Sequence, residues 1–75
     1  MSQTHHLTAV IEREGNAYVG LCPELDIASQ GDSVTEAREN LKEAVALFLE
    51  AASPTETQER LHPEVYVTQL EITIA

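Results

Sequence analysis

Residues Ser33-Val34-Thr35-Glu36 constrain this chain more than any other stretch. A serine hydroxyl can accept from the amide three residues on while a glutamate there reaches back, so this order satisfies amides that the first turn of a helix leaves bare. A helix is therefore predicted from Ser33 to about Ala52, where Ser53-Pro54 follows and the residue before proline is pushed out of the helical region. At about 100° per residue, Val34, Ala37, Leu41, Ala44, Val45, Phe48 and Ala52 share one broad stripe, while Glu36, Glu39, Glu43 and Glu50 gather on the opposite side. Leu47 and Leu49 fall on the two flanks, so at least one of them stays partly exposed. A helix with one apolar stripe has to bury it against another layer, and the flanking residues must supply that layer. Ser53-Pro54-Thr55-Glu56 repeats the cap with proline in the first helical position, which predicts a short second helical segment to about Leu61 before His62-Pro63.

Ahead of the helix, His6 to Glu14 places Leu7, Ala9 and Ile11 on one side and Thr8, Val10 and Glu12 on the other, the period of a strand. Gly15-Asn16 then predicts a two-residue hairpin of the II′ kind, because glycine accepts positive φ at the first central position. Ala17 to Cys22 returns, with Val19 and Leu21 alternating against Tyr18, Gly20 and Cys22, and Ile11, Val19 and Leu21 read as strand core. Pro23 has no amide hydrogen for a ladder, so Pro23-Glu24-Leu25-Asp26 is a turn and Ile27 to Gly31 a short third strand. After the helices, Glu64 to Ala75 is strand-like, although Val65 and Val67 are out of phase with Leu70, Ile72 and Ile74. A bulge near Thr68-Gln69, or two faces buried in turn, would accommodate the switch. The order β-β-β-α-β describes an α+β domain with a mainly antiparallel sheet and one principal helix on one face. Its last strand is expected to lie parallel to an earlier one through a right-handed crossover. The opposite sheet face lacks a cover unless the segment after Pro54, or another subunit, provides it.

The chain has 75 residues and a mass of 8.2 kDa, enough for a single domain. Surface scaling gives about 4,500 Å² exposed when folded against about 11,900 Å² unfolded, a thin burial of roughly 62%. A homodimer or higher homo-oligomer is therefore expected. Thirteen Asp and Glu against four Lys and Arg leave a formal charge of -9, which repels phosphates, argues against direct nucleic-acid contact and favours a cationic partner. Cys22 is the one cysteine and has no internal disulfide partner. The N-terminal MSQTHHLTAV lacks the basic start and apolar run of a signal peptide. No apolar stretch approaches the 18 or so residues of a membrane span, so a cytoplasmic protein without membrane contact is expected.

The run from Gly15 to Glu50 resembles the N-terminal domain of HicB-type antitoxins. The resemblance rests on Tyr18-Val19 after the glycine hairpin, Cys22-Pro23-Glu24-Leu25, Ser29-Gln30-Gly31-Asp32, and a helix carrying Glu36-Ala37, Asn40-Leu41 and Glu43-Ala44. These features occur in the family's order over about half the chain, a more specific match than any single tetrapeptide. The resemblance implies a partial RNase H-like fold and a toxin-antitoxin role, the partner being a small basic HicA-like protein that cleaves mRNA. Complete antitoxins of the family usually carry a helix-turn-helix or ribbon-helix-helix domain after the last strand. This sequence reaches Ala75 without one, so a single HicB-like domain over 1–75 without operator binding is expected. A solitary oligomeric domain with a structural or regulatory role is the alternative.

Residues that carry chemistry elsewhere have plainer readings here. An RNase H-like fold invites a two-metal nuclease built on Glu24, Asp26 and Asp32. Glu24 and Asp26 flank a turn, however, and Asp32 sits at a helix start, where a carboxylate favours the dipole without any metal. His5, His6, His62 and Cys22 lack the spacing of zinc ligands. Cys22 reads as a small buried residue at a strand end. No catalytic, metal or cofactor site is expected, and no enzymatic activity. The candidate partner-binding residues are Glu36, Glu39, Glu43 and Glu50, whose acidic face suits a basic protein and also describes an ordinary solvated helix back.

The cap gives a direct test. Replacing Ser33 with Ala should lower unfolding free energy by about 1 kcal/mol, read as a shift in the urea midpoint with the slope unchanged.

Overall fold

The computed structural model describes residues 4–75. Three strands, β1 (Val10–Glu14), β2 (Ala17–Cys22) and β3 (Ile27–Gly31), form an antiparallel sheet in the order β1-β2-β3, followed by helices α1 (Val34–Ala51) and α2 (Pro54–Arg60). The α+β class and the β-β-β-α order agree with the sequence. Gly15 takes φ 63° in the β1–β2 turn, as a II′ hairpin requires. Register pairs Ile11 with Gly20 and Val10 with Leu21 across one junction, and Gly20 with Ser29 and Cys22 with Ile27 across the other.

That register decides which face receives α1. Gly20, Cys22 and Gly31 are buried beneath the helix, which approaches so closely that a side chain at Gly31 would collide with its backbone and one at Gly20 would press on Leu41. A Cβ on Gly31 would stand 2.6 Å from the Ala37 amide nitrogen, and one on Gly20 would stand 3.3 Å from Leu41 Cδ2. The Asn40 side-chain amide donates to the Gln30 carbonyl at 2.8 Å and ties the helix to β3. Ile11 shares this covered face, whereas Val19 and Leu21 point the other way, with Leu21 38% exposed. Assigning Val19 and Leu21 to the core is thus corrected: Gly20 and Cys22 of β2 lie under the helix on the face that Tyr18 shares, and Val19 and Leu21 line the open side. The segment after Pro54 leaves that side open as well, with Val10 and Leu21 both 38% exposed; Arg60 of α2 instead binds carbonyls of the β2–β3 turn.

The buried core consists of Cys22, Leu25, Ala37 and Leu41, with Leu7, Ile27, Val45, Phe48, Leu49 and Leu61 packed around it. Ser33 caps α1 by accepting from the Glu36 amide at 3.0 Å. The Glu36 carboxylate reaches back one residue further than expected, to the Asp32 amide at 3.1 Å. Ser53 caps α2 in the same way, its hydroxyl accepting from the Glu56 amide at 3.2 Å. Among the described residues, no helix is long and apolar enough to cross a membrane.

One strand boundary and one whole strand differ from expectation. β1 begins at Val10 rather than His6, because β2 ends at Cys22 before Pro23 and residues ahead of Val10 have no ladder partner. Residues 64–75 join no strand of the sheet, so the fifth element of β-β-β-α-β, with its parallel crossover, is absent from the single chain. The segment leaves the domain after Leu61. Val65 is half-buried and every residue from Tyr66 onward is exposed, including Leu70 at 82%, Ile72 at 74% and Ile74 at 88%.

The close approach at Gly31 predicts that Gly31→Ala destabilises by about 1–3 kcal/mol through overpacking against helix backbone. Gly20→Ala should be milder, because flexible Leu41 can yield. Paired urea titrations would check the order, and equal stability of Gly31→Ala and the parent would contradict it.

Candidate functional site

Residues 23–26 connect β2 to β3 and reach the deepest part of the protein. Leu25 is fully buried, and the Leu25 amide donates to the Cys22 carbonyl at 3.3 Å. Asp26 takes φ 56°, a left-handed conformation that aspartate tolerates better than most residues. Glu24 is 7% exposed. Its carboxylate accepts from the Thr8 amide at 2.9 and 3.1 Å, from the Thr8 hydroxyl at 2.6 Å and from the Cys22 thiol at 3.6 Å. Burial opposes the charge of Glu24, but donation from Thr8, from its own amide and from Cys22 outweighs burial and holds the carboxyl below its ordinary value. The Cys22 thiol is pushed up by burial and by the neighbouring carboxylate, which disfavours the thiolate that nucleophilic chemistry needs. Behind the turn, the His62 amide donates to the Glu24 carbonyl at 2.6 Å, and the Arg60 guanidinium donates to the carbonyls of Leu25 at 2.9 Å and Asp26 at 3.2 Å. Arg60 also stands 5.5 Å from the Phe48 ring centroid, in range for a cation–π contact. Glu24 is therefore a structural anchor, and no sequence spacing marks the Thr8 partner sixteen positions away.

The carboxylates Glu36, Glu39, Glu43 and Glu50 are all exposed on α1. They are not equally free. Glu36 is engaged in the cap, and Glu39 lies 3.5 Å from Arg38 in a contact whose partners are more than half exposed, an ion pair worth little to stability. Glu43 and Glu50 stand in solvent.

Between this acidic back and the core stripe, α1 presents a third sector. Arg38, Lys42, Val45, Ala46 and Leu49 form one wall of a groove of about 500 Å³, whose opposite wall is the stretch leading into β1, including Leu7, Thr8 and Ala9. The groove is mostly apolar, carries two cations and has no carboxylate in its lining. A smaller recess of about 230 Å³ lies among Phe48, Glu56, Glu59 and Arg60. Among the described residues, no group of three His, Cys, Asp or Glu side chains is placed to hold a metal ion. The arrangement offers two surfaces suited to macromolecules: an acidic helix face and an apolar groove beside the first strand.

The chain is similar to a UPF0150 protein of Synechocystis sp., with 46% identity over 46 residues. The match covers 59% of this chain and 64% of that relative, so the chain spans less than two thirds of the length of the curated protein it matches. No family model matches the chain, and no solved structure does.

The Glu24 anchor predicts a defined pH response. Because its folded carboxyl titrates below the ordinary value, the stability it contributes is complete above the unfolded pKa and is lost as pH falls through the folded one. Urea midpoints measured between neutral and acidic pH should fall less steeply for Glu24→Gln than for the parent. Thr8→Val, which removes the hydroxyl donor, should cost about 1.5–3 kcal/mol at neutral pH, the range for a hydrogen bond to a charged group. Parallel pH profiles for parent and Glu24→Gln would contradict the assignment.

Proposed function

We propose that this protein is a HicB-like antitoxin that binds and neutralises a small basic HicA-like mRNA-cleaving toxin. The exposed acidic face of α1 on a chain of net charge -9 is the observation that carries the reading. The resemblance of Gly15 to Glu50 to HicB-type antitoxins supports it. A toxin that cleaves mRNA must present cations to RNA phosphates, and an acidic protein face competes for the same cations. Complementary charge also speeds encounter and suppresses wrong partners. The protein acts by occupancy in this reading, with no reaction of its own and no cofactor, and its place of action is the cytoplasm, where mRNA is.

Glu39, Glu43 and Glu50 are the residues of the face with carboxylates outside the cap, and Glu36 contributes its charge from the first turn. The alternative of a solitary oligomeric domain is favoured by one observation, the exposed apolar side chains of residues 66–74.

Co-expression with the product of the adjacent gene tests the reading. Growth rescue and a stable complex are expected, and their absence beside an active toxin would leave the oligomeric domain as the better account. Changing Glu39, Glu43 and Glu50 together to Gln should slow association by about tenfold or more at low salt and flatten its salt dependence, with unchanged circular dichroism. An unaltered association rate would move the contact off this helix face.

A further inference from the structure

We infer that residues 64–75 of one copy of this chain occupy the groove between α1 and the stretch leading into β1 of a second copy and continue along the open edge of β1, each chain completing the other's sheet by strand exchange. The segment has the pattern of a half-buried strand. From Thr68 onward Leu70, Ile72 and Ile74 share one side, which Tyr66 also joins, and Gln69, Glu71 and Thr73 share the other, where Val65 and Val67 lie nearer the root. Its own chain leaves that apolar side bare, with all four residues at least 74% exposed.

The groove supplies what such a strand lacks. Among the described residues β1 is an edge of the sheet, paired with β2 alone, and therefore has one row of backbone donors and acceptors open to another strand. Leu7, Thr8 and Ala9 lead into that edge, and Val45, Ala46 and Leu49 of α1 form the facing wall. Charge is complementary as well. The segment carries Glu64 and Glu71 and no cation, while the groove holds Arg38 and Lys42, two of the four basic residues in an otherwise acidic chain.

A second copy is the occupant because the segment, held at its root, leaves its own domain instead of turning back onto it, with every residue from Tyr66 onward exposed. His62 is tied to the Glu24 carbonyl, Arg60 is tied to Leu25 and Asp26, and Pro63 follows with its restricted backbone. From this root the chain runs outward, giving a longest extent of 54 Å and a radius of gyration of 14.6 Å, where a compact chain of this length has about 11 Å. A twofold pair lets each copy donate one segment and receive one, which closes the assembly.

Full-length protein labelled with ¹³C in its methyl groups, unfolded and refolded with an equal amount of unlabelled protein, tests the exchange by isotope-filtered nuclear Overhauser spectroscopy. Contacts between chains are expected from Leu70, Ile72 and Ile74 methyls to those of Val45 and Leu49, in a particle of two chains. Contacts confined within one chain, contacts directed to Val10 and Leu21 on the open sheet face, or a monomer with no tail contacts would each overturn the inference. Ile72→Asp, at a position exposed in the single chain, should weaken the dimer by at least about tenfold while leaving the circular dichroism of the sheet and helices in place. An unchanged dimer would count against it equally.

Discussion

A buried carboxylate without a cationic partner ties the stretch before β1 to the turn on which the domain converges. Glu24 lies at the bottom of the turn between β2 and β3, and the charge it retains there is sustained by the Thr8 amide and hydroxyl. Removing such a charge from water is costly unless donors replace the lost solvent. The same turn offers its carbonyls to Arg60 and His62, so the stretch before β1, the β2–β3 connection and the exit from α2 converge on four residues. Leu25 is then fixed beneath α1 as the most buried large side chain. Placement of the groove follows from this convergence, because Thr8 stands in its wall and is held by Glu24.

Local chemistry was legible in the residues and long-range chemistry was not. Both helices start at serine caps and the hairpin turns on Gly15, since each device acts within three or four positions. The four helix carboxylates also lie where a 3.6-residue period puts them, exposed on α1. Alternation along β2 gave two possible faces, and the bulkier one looked like core. Packing reversed the choice, because a helix approaching as closely as Ala37 does to Gly31 needs glycines beneath it. The Glu24–Thr8 tie joins residues from separate elements, and nothing in their local sequence encodes it. Residues 64–75 have the pattern of a strand, but alternation does not say which chain supplies the neighbour.

The surface that the single chain leaves exposed unites these features. It exposes 6297 Å², roughly 1,800 Å² more than a compact protein of its mass shows. Full burial of a leucine or isoleucine contributes about 1.5–3 kcal/mol, so Leu70, Ile72 and Ile74 leave a large share of a small domain's stability unrealised. α1 divides its surface accordingly. One sector packs on the sheet, a second walls the groove with Arg38 and Lys42, and a third carries the carboxylates. Self-association through the groove would leave the acidic sector open, so the proposed dimer and the proposed capture of a basic partner are compatible on one helix.

Amide hydrogen exchange, read on dimer and monomer fractions separated by size, tests the central claim that the missing strand comes from another copy. Residues 64–75 and the edge of β1 are expected to be protected together in a particle of two chains and to exchange freely in any monomer. Protection of residues 64–75 in a monomer, or free exchange there in a dimer, would contradict it.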